Sequence, residues 1–160
     1  MEKLQIDHLD GKILQILQQD ARTPYLEIAR QCKVSGAAIH QRMKSLQRRG
    51  FIRGAVILLD PHKLGYQTCA YIGIYLEEAK LFGAVVEQLK QIPEITQCHY
   101  TTGMYSIFIK VYTRDNDHLK TVLAEKLQSI PGIARTETFI SLEESFSRQI
   151  PVPMTENKGR

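Results

Sequence analysis

Apolar residues near the start of the chain recur at the spacing of two amphipathic α-helices. The first helix is predicted to begin after Asp7, a favourable N-cap, and its apolar stripe consists of Leu9, Ile13, Ile16 and Leu17. The second is predicted to begin with Thr23 as N-cap and Pro24 in the first helical position. Its predicted inward residues are Leu26, Ile28 and Ala29.

A third helix and a short strand are predicted next. Ser35 is a suitable N-cap, the helical spacing continues to about Arg49, and Gly50 ends the helix. The run 55–59 (Ala-Val-Ile-Leu-Leu) is too short for a separate helix, and the preceding Arg53-Gly54 pair can turn a small hairpin. The pattern therefore predicts a helix-turn-helix followed by a wing.

The second part of the chain contains an internal repeat. Ile92-Pro93-Glu94-Ile95 returns as Ile130-Pro131-Gly132-Ile133, and each copy follows an amphipathic helix and precedes a strand-like stretch. Four strands are predicted, over 67–76, 95–102, 105–112 and 133–142. The order β-α-β-β-α-β is that of a ferredoxin-like domain, so the predicted fold class is α+β.

The two faces of this predicted sheet differ in what can cover them. Along the third strand, Tyr105, Ile107, Ile109 and Val111 are predicted to point one way, and Ser106, Phe108, Lys110 and Tyr112 the other. Two helices cover only one face, which leaves an apolar sheet face that is typical of an interface. We therefore expect a homodimer with sheets packed face to face, with a higher assembly such as an octamer left open.

These boundaries predict a DNA-binding domain over 1–60, a connection over 61–66, an αβ-sandwich effector and oligomerisation domain over 67–149, and a loose or partner-bound tail over 150–160. No apolar run approaches the length of a membrane span, and the N-terminus has no apolar signal core. A cytoplasmic protein without membrane contact is expected. The three cysteines, Cys32, Cys69 and Cys98, indicate neither a disulfide framework nor a metal site.

Positive charge is concentrated in the predicted helix-turn-helix. Residues 1–59 carry ten basic and five acidic side chains, whereas residues 60–160 carry eleven and twelve. Between Ile28 and Leu59 there are seven basic residues and no acidic one. One end of the chain is therefore suited to a polyanion such as double-stranded DNA.

The third helix has the composition of a recognition helix. Its buried stripe would be Ile39, Met43 and Leu46, and the opposite side combines small, amide and basic groups. Gln41 is predicted to read base edges, while Lys44 holds a phosphate. The predicted DNA-contacting residues are Ser35, Gly36, Ala37, His40, Gln41, Arg42, Lys44, Arg48, Arg49 and Arg53.

Motifs in both predicted domains resemble those of the Lrp/AsnC (leucine-responsive, feast-or-famine) transcriptional regulators. In the first domain they are the stretch from Ser35 to Ile52, the opening Asp7 to Leu14, Asp20-Ala21-Arg22 and Leu26 to Arg30. In the second they are Thr102-Gly103-Met104-Tyr105 and Ile130-Pro131-Gly132-Ile133. The resemblance spans about residues 6–145 and implies a sequence-specific regulator, not an enzyme, that needs no cofactor and dimerises through its αβ domain.

The resemblance also implies an amino-acid effector bound between dimers, near the turn before the third strand. By position, the candidate contacts are Thr102, Gly103, Met104, Tyr105 and Ser106 on that turn, with Thr138 and Ile140 on the last strand. The family pattern usually places an acidic residue at the position of Ser106. A charge-assisted bond to an ammonium contributes roughly 1.5–3 kcal/mol, against roughly 0.5–1.5 for a neutral one, so we expect amino-acid binding to be weak, altered or absent.

Two alternatives remain open at this point. Sirohaem decarboxylases resemble these regulators in architecture and act on tetrapyrroles, although the basic residues here cluster on one helix and not around a pocket. A low-specificity architectural protein would share every feature of a regulator and differ only in its specificity ratio for DNA.

Overall fold

The computed structural model describes residues 6–153, which divide into two compact units. The first consists of residues 6–57 and 146–153, and the second is Leu58–Ser145. The second unit is therefore inserted, in sequence, between the two segments of the first. The predicted boundary at 61–66 differs by a few residues from this division.

Three helices form the first unit: α1 (His8–Gln19), α2 (Tyr25–Cys32) and α3 (Gly36–Arg48). The predicted caps of α1 and α3 are present, because the Asp7 carboxylate accepts from the Asp10 N–H at 2.8 Å and the Ser35 hydroxyl accepts from the Ala38 N–H at 3.1 Å. Between α2 and α3, Lys33 adopts a left-handed conformation with φ of 57°. In this conformation Lys33 is the C-cap of α2, and its N–H donates to the Ala29 and Arg30 carbonyls.

The start of α2 differs from the prediction. Pro24 is the N-cap, one residue later than predicted, and Thr23 instead donates its hydroxyl to the Asp20 carbonyl. Leu26 was predicted to point inward but is 70% exposed, whereas Ile28 and Ala29 are buried. Leu26 lies in the first turn of the helix, ahead of the part that packs on the core.

The predicted wing is wrong for the described chain. Residues 52–60 form no helix or strand, and the side chains of Val56, Ile57 and Leu58 are exposed. A strand requires a hydrogen-bonded neighbour, and the Arg53-Gly54 pair does not turn the chain back to provide one.

The chain returns to the first unit after residue 145. Val152 packs against the core of the three helices, and the Gln18 side-chain amide donates to the Ile150 carbonyl at 2.9 Å. The described part of the predicted tail is thus held by its own chain, while residues 154–160 lie outside the described residues.

The second unit is the predicted ferredoxin-like domain. Its elements are β1 (Thr68–Leu76), α4 (Phe82–Leu89), β2 (Ile95–Tyr100), β3 (Ile107–Thr113), α5 (Asn116–Thr121, continued by a π-helical turn, Val122–Leu127) and β4 (Ile133–Ser141). A 3-10 turn, Ala79–Leu81, precedes α4. The strands form one sheet in the order β2-β3-β1-β4, and all neighbours pair antiparallel.

The helices cover one face of this sheet. Residues that alternate along β1 and β3 form the core with α4 and α5: Ile72, Ile74, Ile107, Ile109, Val111, Val85, Leu89, Val122 and Leu127. The two copies of the repeat occupy equivalent turns, where the Ile95 N–H donates to the Ile92 carbonyl and the Ile133 N–H to the Ile130 carbonyl. The repeat thus reflects two similar helix-to-strand connections.

The opposite side of the sheet, called here the open face, is covered by no helix of the described chain. Its side chains are mainly aromatic: Tyr71, Tyr75, Phe108, Tyr112 and Phe139. Tyr105 was predicted to lie on the helix side, but its ring lies on the open face against Gly73, Tyr75 and Phe108. Residue 105 precedes the regular part of β3, so strand alternation does not apply to it. No helix among residues 6–153 is long and apolar enough to span a membrane.

Candidate DNA interface and effector site

The exposed side of α3 is the candidate DNA interface. Ile39, Met43 and Leu46 are buried against the unit's core. Ala37, Gln41, Lys44 and Arg48 are exposed on the remaining surface, as the helical spacing predicted. Among the described residues, the side chains of Gln41, Lys44 and Arg48 make no hydrogen bond or ion pair, so their polar groups are available to a ligand.

The beginning of α3 is narrow. Ser35 is exposed and uses its hydroxyl as the cap, and Gly36 lies so close to α2 that a Cβ there would contact Leu26 at 3.3 Å. His40 is exposed, and its ring lies 5.9 Å from that of Tyr25. Because the side chains of Ser35 and Gly36 are small, a nucleic-acid backbone could approach the free N–H groups of the first turn.

Two of the predicted DNA-contacting arginines lie in ion pairs within the unit. The guanidinium of Arg42 contacts the carboxylates of Asp7 and Asp10, the latter at 3.3 Å. Arg49 reaches the other oxygen of Asp10 at 3.4 Å and lies over the ring of Phe51. Arg53, in contrast, is exposed and makes no ion pair among the described residues.

These ion pairs surround a buried acid. Asp10 is only 2% exposed, and Asp7 beside it is half exposed. Burial raises the pKa of Asp7, but the backbone N–H of Asp10 and the Arg42 guanidinium lower the pKa more, so the net shift is downward. We refer to Asp7, Asp10, Arg42 and Arg49 as the aspartate–arginine cluster.

The predicted effector residues do not lie on one surface. Thr102, Gly103 and Met104 form an exposed turn in which Gly103 has a φ of 110°, a conformation that favours glycine. Thr138 and Ile140 pair with Ile72 and Ala70 and point to the helix side of β4. The ring of Tyr105 lies on the open face, and Ser106 is half-buried beside it.

A charged and aromatic cluster next to Tyr105 was not predicted from the sequence. The Glu137 carboxylate accepts from the Tyr75 hydroxyl at 3.1 Å and from the Tyr105 hydroxyl at 2.8 Å. Arg135 lies 3.3 Å from Glu137 and 3.9 Å above the Tyr75 ring. We call these four residues the Glu137 cluster. In the sequence, strand alternation already places positions 135, 137 and 139 on one face of β4. Alternation does not show which face of the sheet is left open, so it could not identify the cluster.

The hydrogen bonds of this cluster favour the charged carboxylate. Donation by Tyr105 is the main cause that lowers the pKa of Glu137, with smaller contributions from Tyr75 and Arg135. The same bond raises the pKa of Tyr105. The site therefore presents the Glu137 carboxylate beside the Arg135 guanidinium and the side chains of Tyr75 and Tyr105.

A lysine is embedded in the aromatic open face. Lys110 donates to Glu144 at 2.8 Å and lies over the rings of Tyr71 and Tyr112. Burial lowers its pKa, but Glu144 and the tyrosine hydroxyls outweigh that effect and leave the pKa above its ordinary value. Lys110 is therefore a paired charge within this face.

A second buried carboxylate lies on the helix side of the unit. Glu94 is 10% exposed and accepts from Lys126 at 2.6 Å and from Nε2 of His118 at 3.1 Å. Burial raises the pKa of Glu94, but these donors and a backbone N–H lower it by more, so the net shift of the pKa is downward. The three cysteines are free, and within residues 6–153 no group of three or more metal-ligating side chains comes together.

Two protein families match the chain. The AsnC-type helix-turn-helix domain matches residues 6–47, and the Lrp/AsnC ligand binding domain matches residues 69–151. Regulatory protein AsnC of Haemophilus influenzae is 45% identical over 145 residues, which are 91% of this chain and 97% of that protein. A protein of the same name from Escherichia coli is 44% identical over 94% of this chain and 99% of that protein.

Solved structures agree with the fold described above. The structure of AsnC from E. coli matches with a TM-score of 0.88 at 44% identity, over 92% of this chain and 99% of that chain. A transcriptional regulator of Neisseria meningitidis, solved as a complex with L-methionine, matches with a TM-score of 0.87 at 22% identity, over 93% and 97%. That second match supports the fold alone.

Proposed function

The chain belongs to the Lrp/AsnC family of DNA-binding transcriptional regulators, and from this membership we propose that it is a dimer whose DNA binding responds to a free amino acid. The homologues are named regulators, which points to a regulator and gives no support to the tetrapyrrole-enzyme alternative. The observation that carries the effector part of the proposal is the Glu137 cluster, which lies within the ligand-binding domain.

DNA would be recognised by α3. Gln41 is exposed and without a partner within residues 6–153, and its side chain has the donor and acceptor that a base edge requires. Lys44 and Arg48, which form no ion pair within the same residues, supply positive charge along the same helix. Arg53 and the N-terminal turn of α3 would add phosphate contacts. One such helix in each subunit of a dimer implies a site with two-fold symmetry.

The effector would be recognised by its zwitterionic head group. A carboxylate has about four lone-pair positions. Glu137 accepts from Tyr75 at Oε1 and from Tyr105 at Oε2, and Oε1 also forms an ion pair with Arg135. The second position on Oε2 can accept from an α-ammonium. Arg135, which is mostly exposed, can donate to the α-carboxylate.

This arrangement changes the expectation that followed from Ser106. A neutral residue at position 106 does not leave the region without an acid, because Glu137 extends from β4 across β1 to the hydroxyl of Tyr105. The match of residues 69–151 to the Lrp/AsnC ligand binding domain supports a small-molecule effector. An amino acid is the class we propose, because the cluster offers partners to both ends of a zwitterion, and L-methionine is the ligand of the N. meningitidis regulator.

The dimer would form through the open face. Aromatic side chains there provide a large apolar area, and the ion pair with Glu144 lets Lys110 be covered without an uncompensated charge. The exposed apolar segment 55–59 is a second surface that a partner chain would cover.

Calorimetry with each of the twenty amino acids tests the effector proposal. We expect at least one to bind to the wild-type protein, and Glu137→Gln to weaken that binding about tenfold, because a charge-assisted bond becomes a neutral one. Glu143→Gln, which changes an exposed carboxylate just beyond β4, is the matched control and should bind like the wild type. Equal affinities of wild type and Glu137→Gln would exclude Glu137 from the head-group site.

A selection of random-sequence duplexes at physiological salt tests the DNA-binding proposal. Enrichment of sequences with a two-fold motif supports a specific regulator, whereas broad enrichment without a motif would support the architectural alternative. Gln41→Ala should relax the selected motif, and Lys44→Ala should weaken binding to all duplexes alike.

A further inference from the structure

Two arginines converge on a single buried carboxylate in the DNA-binding unit. Arg42 and Arg49 are seven positions apart, or about two helical turns, so they lie on the same side of α3 and its end. Both reach Asp10 of α1, Arg42 at Oδ1 and Arg49 at Oδ2. Two points of α3 are thus tied to one residue of another helix.

Apolar packing alone fixes the orientation of α3 less firmly than these ion pairs do. Ile39, Met43 and Leu46 hold the helix on the core, but apolar contact has no preferred direction and permits small rotations and shifts. Hydrogen bonds to charged groups are directional, and a guanidinium shared between Asp7 and Asp10 has little freedom to move. The aspartate–arginine cluster therefore adds directional restraints on the rotation of α3 about its own axis.

We propose that Asp10 is a positioning residue for base recognition, which acts through Arg42 and Arg49 by fixing the rotation of α3 and so the direction of Gln41. This inference rests on the proposed role of α3 as recognition helix. It also assigns the guanidinium groups of Arg42 and Arg49 to Asp7 and Asp10 instead of to phosphates. The positive charge offered to DNA by α3 then comes from Lys44 and Arg48.

The test compares Asp10→Asn and Arg42→Met with Lys44→Ala. Each protein is titrated with the duplex that the wild type enriches most from a random library and with mixed-sequence genomic DNA, over a range of salt concentrations and well below its unfolding temperature. Arg42→Met is included because it leaves Asp10 paired with Arg49 and keeps a folded variant in the test if Asp10→Asn unfolds.

The expected results separate positioning from phosphate contact. Asp10→Asn and Arg42→Met should lower the ratio of specific to non-specific affinity about tenfold, the effect of one lost base contact, with an unchanged salt slope. Lys44→Ala should leave that ratio unchanged and reduce the slope of log K against log salt by about 0.9, the value for one phosphate contact.

Three results would overturn the proposal. A smaller salt slope for Arg42→Met would place Arg42 on a phosphate. Equal losses of specific and non-specific affinity would mean that the cluster only keeps the unit folded. If the wild-type protein enriches no sequence, the recognition role of α3 is wrong. That result concerns the wild type, so it is distinct from the variant results that test the role of Asp10.

Discussion

The buried carboxylate of Glu94 links the start of β2 to α5 through two donors. His118 accepts the Arg114 N–H with Nδ1, so the proton of its imidazole lies on Nε2 and points to Glu94. Lys126 donates to the same oxygen, Oε1. The other oxygen, Oε2, is buried and has no hydrogen-bond partner among the described residues. Glu94 therefore stabilises the fold as an anion, through one well-paired oxygen.

We predict that Glu94→Gln destabilises the protein by about 2 kcal/mol at pH 7, because charge-assisted bonds become neutral and a buried NH2 group gains no acceptor. The folded-state pKa of Glu94 is lowered, so its contribution is complete above the ordinary value of 4.5 and is lost as the pH falls through the folded-state value. Urea unfolding from pH 7 to pH 3 measures this difference. A gap between wild type and variant that stays constant down to pH 3 would contradict the prediction.

Gly73 allows Tyr105 to lie flat on the open face. A Cβ at residue 73 would be 2.4–2.5 Å from three atoms of the Tyr105 ring, much closer than two carbon atoms approach. Backbone freedom is not the reason for this glycine, since its φ is not positive. The close approach of a ring that also donates to Glu137 is the reason.

We predict that Gly73→Ala costs about 1–3 kcal/mol of unfolding free energy, because the ring must move out of its place. Gly83→Ala is the matched control: Gly83 lies in α4 with no atom within 4 Å of its added Cβ, and alanine there should be neutral or slightly stabilising. Urea unfolding measures both. If Gly73→Ala costs as much in a Tyr105→Ala background as alone, the clash with the ring is not its cause.

At the scale of elements, local signals predicted the helices and strands well. The caps at Asp7 and Ser35 and the helical spacing of apolar residues placed α1 and α3 to within two or three residues. Short apolar runs between turn residues placed the four strands of the sheet equally well, because these signals depend on neighbouring residues only. The strand over 55–59 was wrong because its β-branched composition says nothing about whether a pairing partner exists.

The candidate sites were less predictable than the elements. The exposed face of α3 followed from periodicity, but the pairing of Arg42 and Arg49 with Asp10 depends on how α1 crosses α3, which no local pattern encodes. The Glu137 cluster combines residues from β1, β4 and the turn before β3, so it required the strand register. Tyr105 was assigned to the wrong face for the same reason.

The last described segment, residues 146–153, is an element of the DNA-binding unit although it follows β4 in sequence. Val152 is half-buried on the helical core, whereas the side chain of Ile150 is 81% exposed and only its carbonyl is held, by Gln18. Within the part of the chain that the structure describes, the segment is thus anchored by one apolar side chain and one hydrogen bond to a side chain.

We predict that Val152→Asp loosens α1, because a carboxylate cannot replace the buried apolar contact without a partner. Amide hydrogen exchange should become faster in α1 and stay unchanged in β3. Ile150→Asp introduces the same charge two residues away on an exposed side chain and should leave α1 unaffected. Equal acceleration by both variants would indicate a general charge effect instead of a specific contact.

At the scale of the whole molecule, the open face joins the proposed effector site to the proposed dimer interface. The ring of Tyr105 contacts Glu137 through its hydroxyl, and it lies 5.8 Å from the ring of Phe108 and 6.3 Å from that of Phe139. An amino acid bound to Glu137 would therefore affect the positions of Tyr105 and its neighbours, which a partner subunit would cover. We expect effector binding and subunit association to affect each other for this reason.

Two neighbouring residues of β4 allow a direct test of the interface. Phe139 and Ile140 are almost equally exposed, at 48% and 49%, but Phe139 lies on the open face and Ile140 on the helix side. We predict that Phe139→Asp shifts the protein to the monomer, because an unpaired carboxylate would be desolvated between two sheets, while Ile140→Asp leaves the dimer intact. Sedimentation equilibrium measures the mass of each variant. Should both variants remain dimeric, or Ile140→Asp alone dissociate, the subunits would associate through another surface, and the aromatic open face would need a different partner.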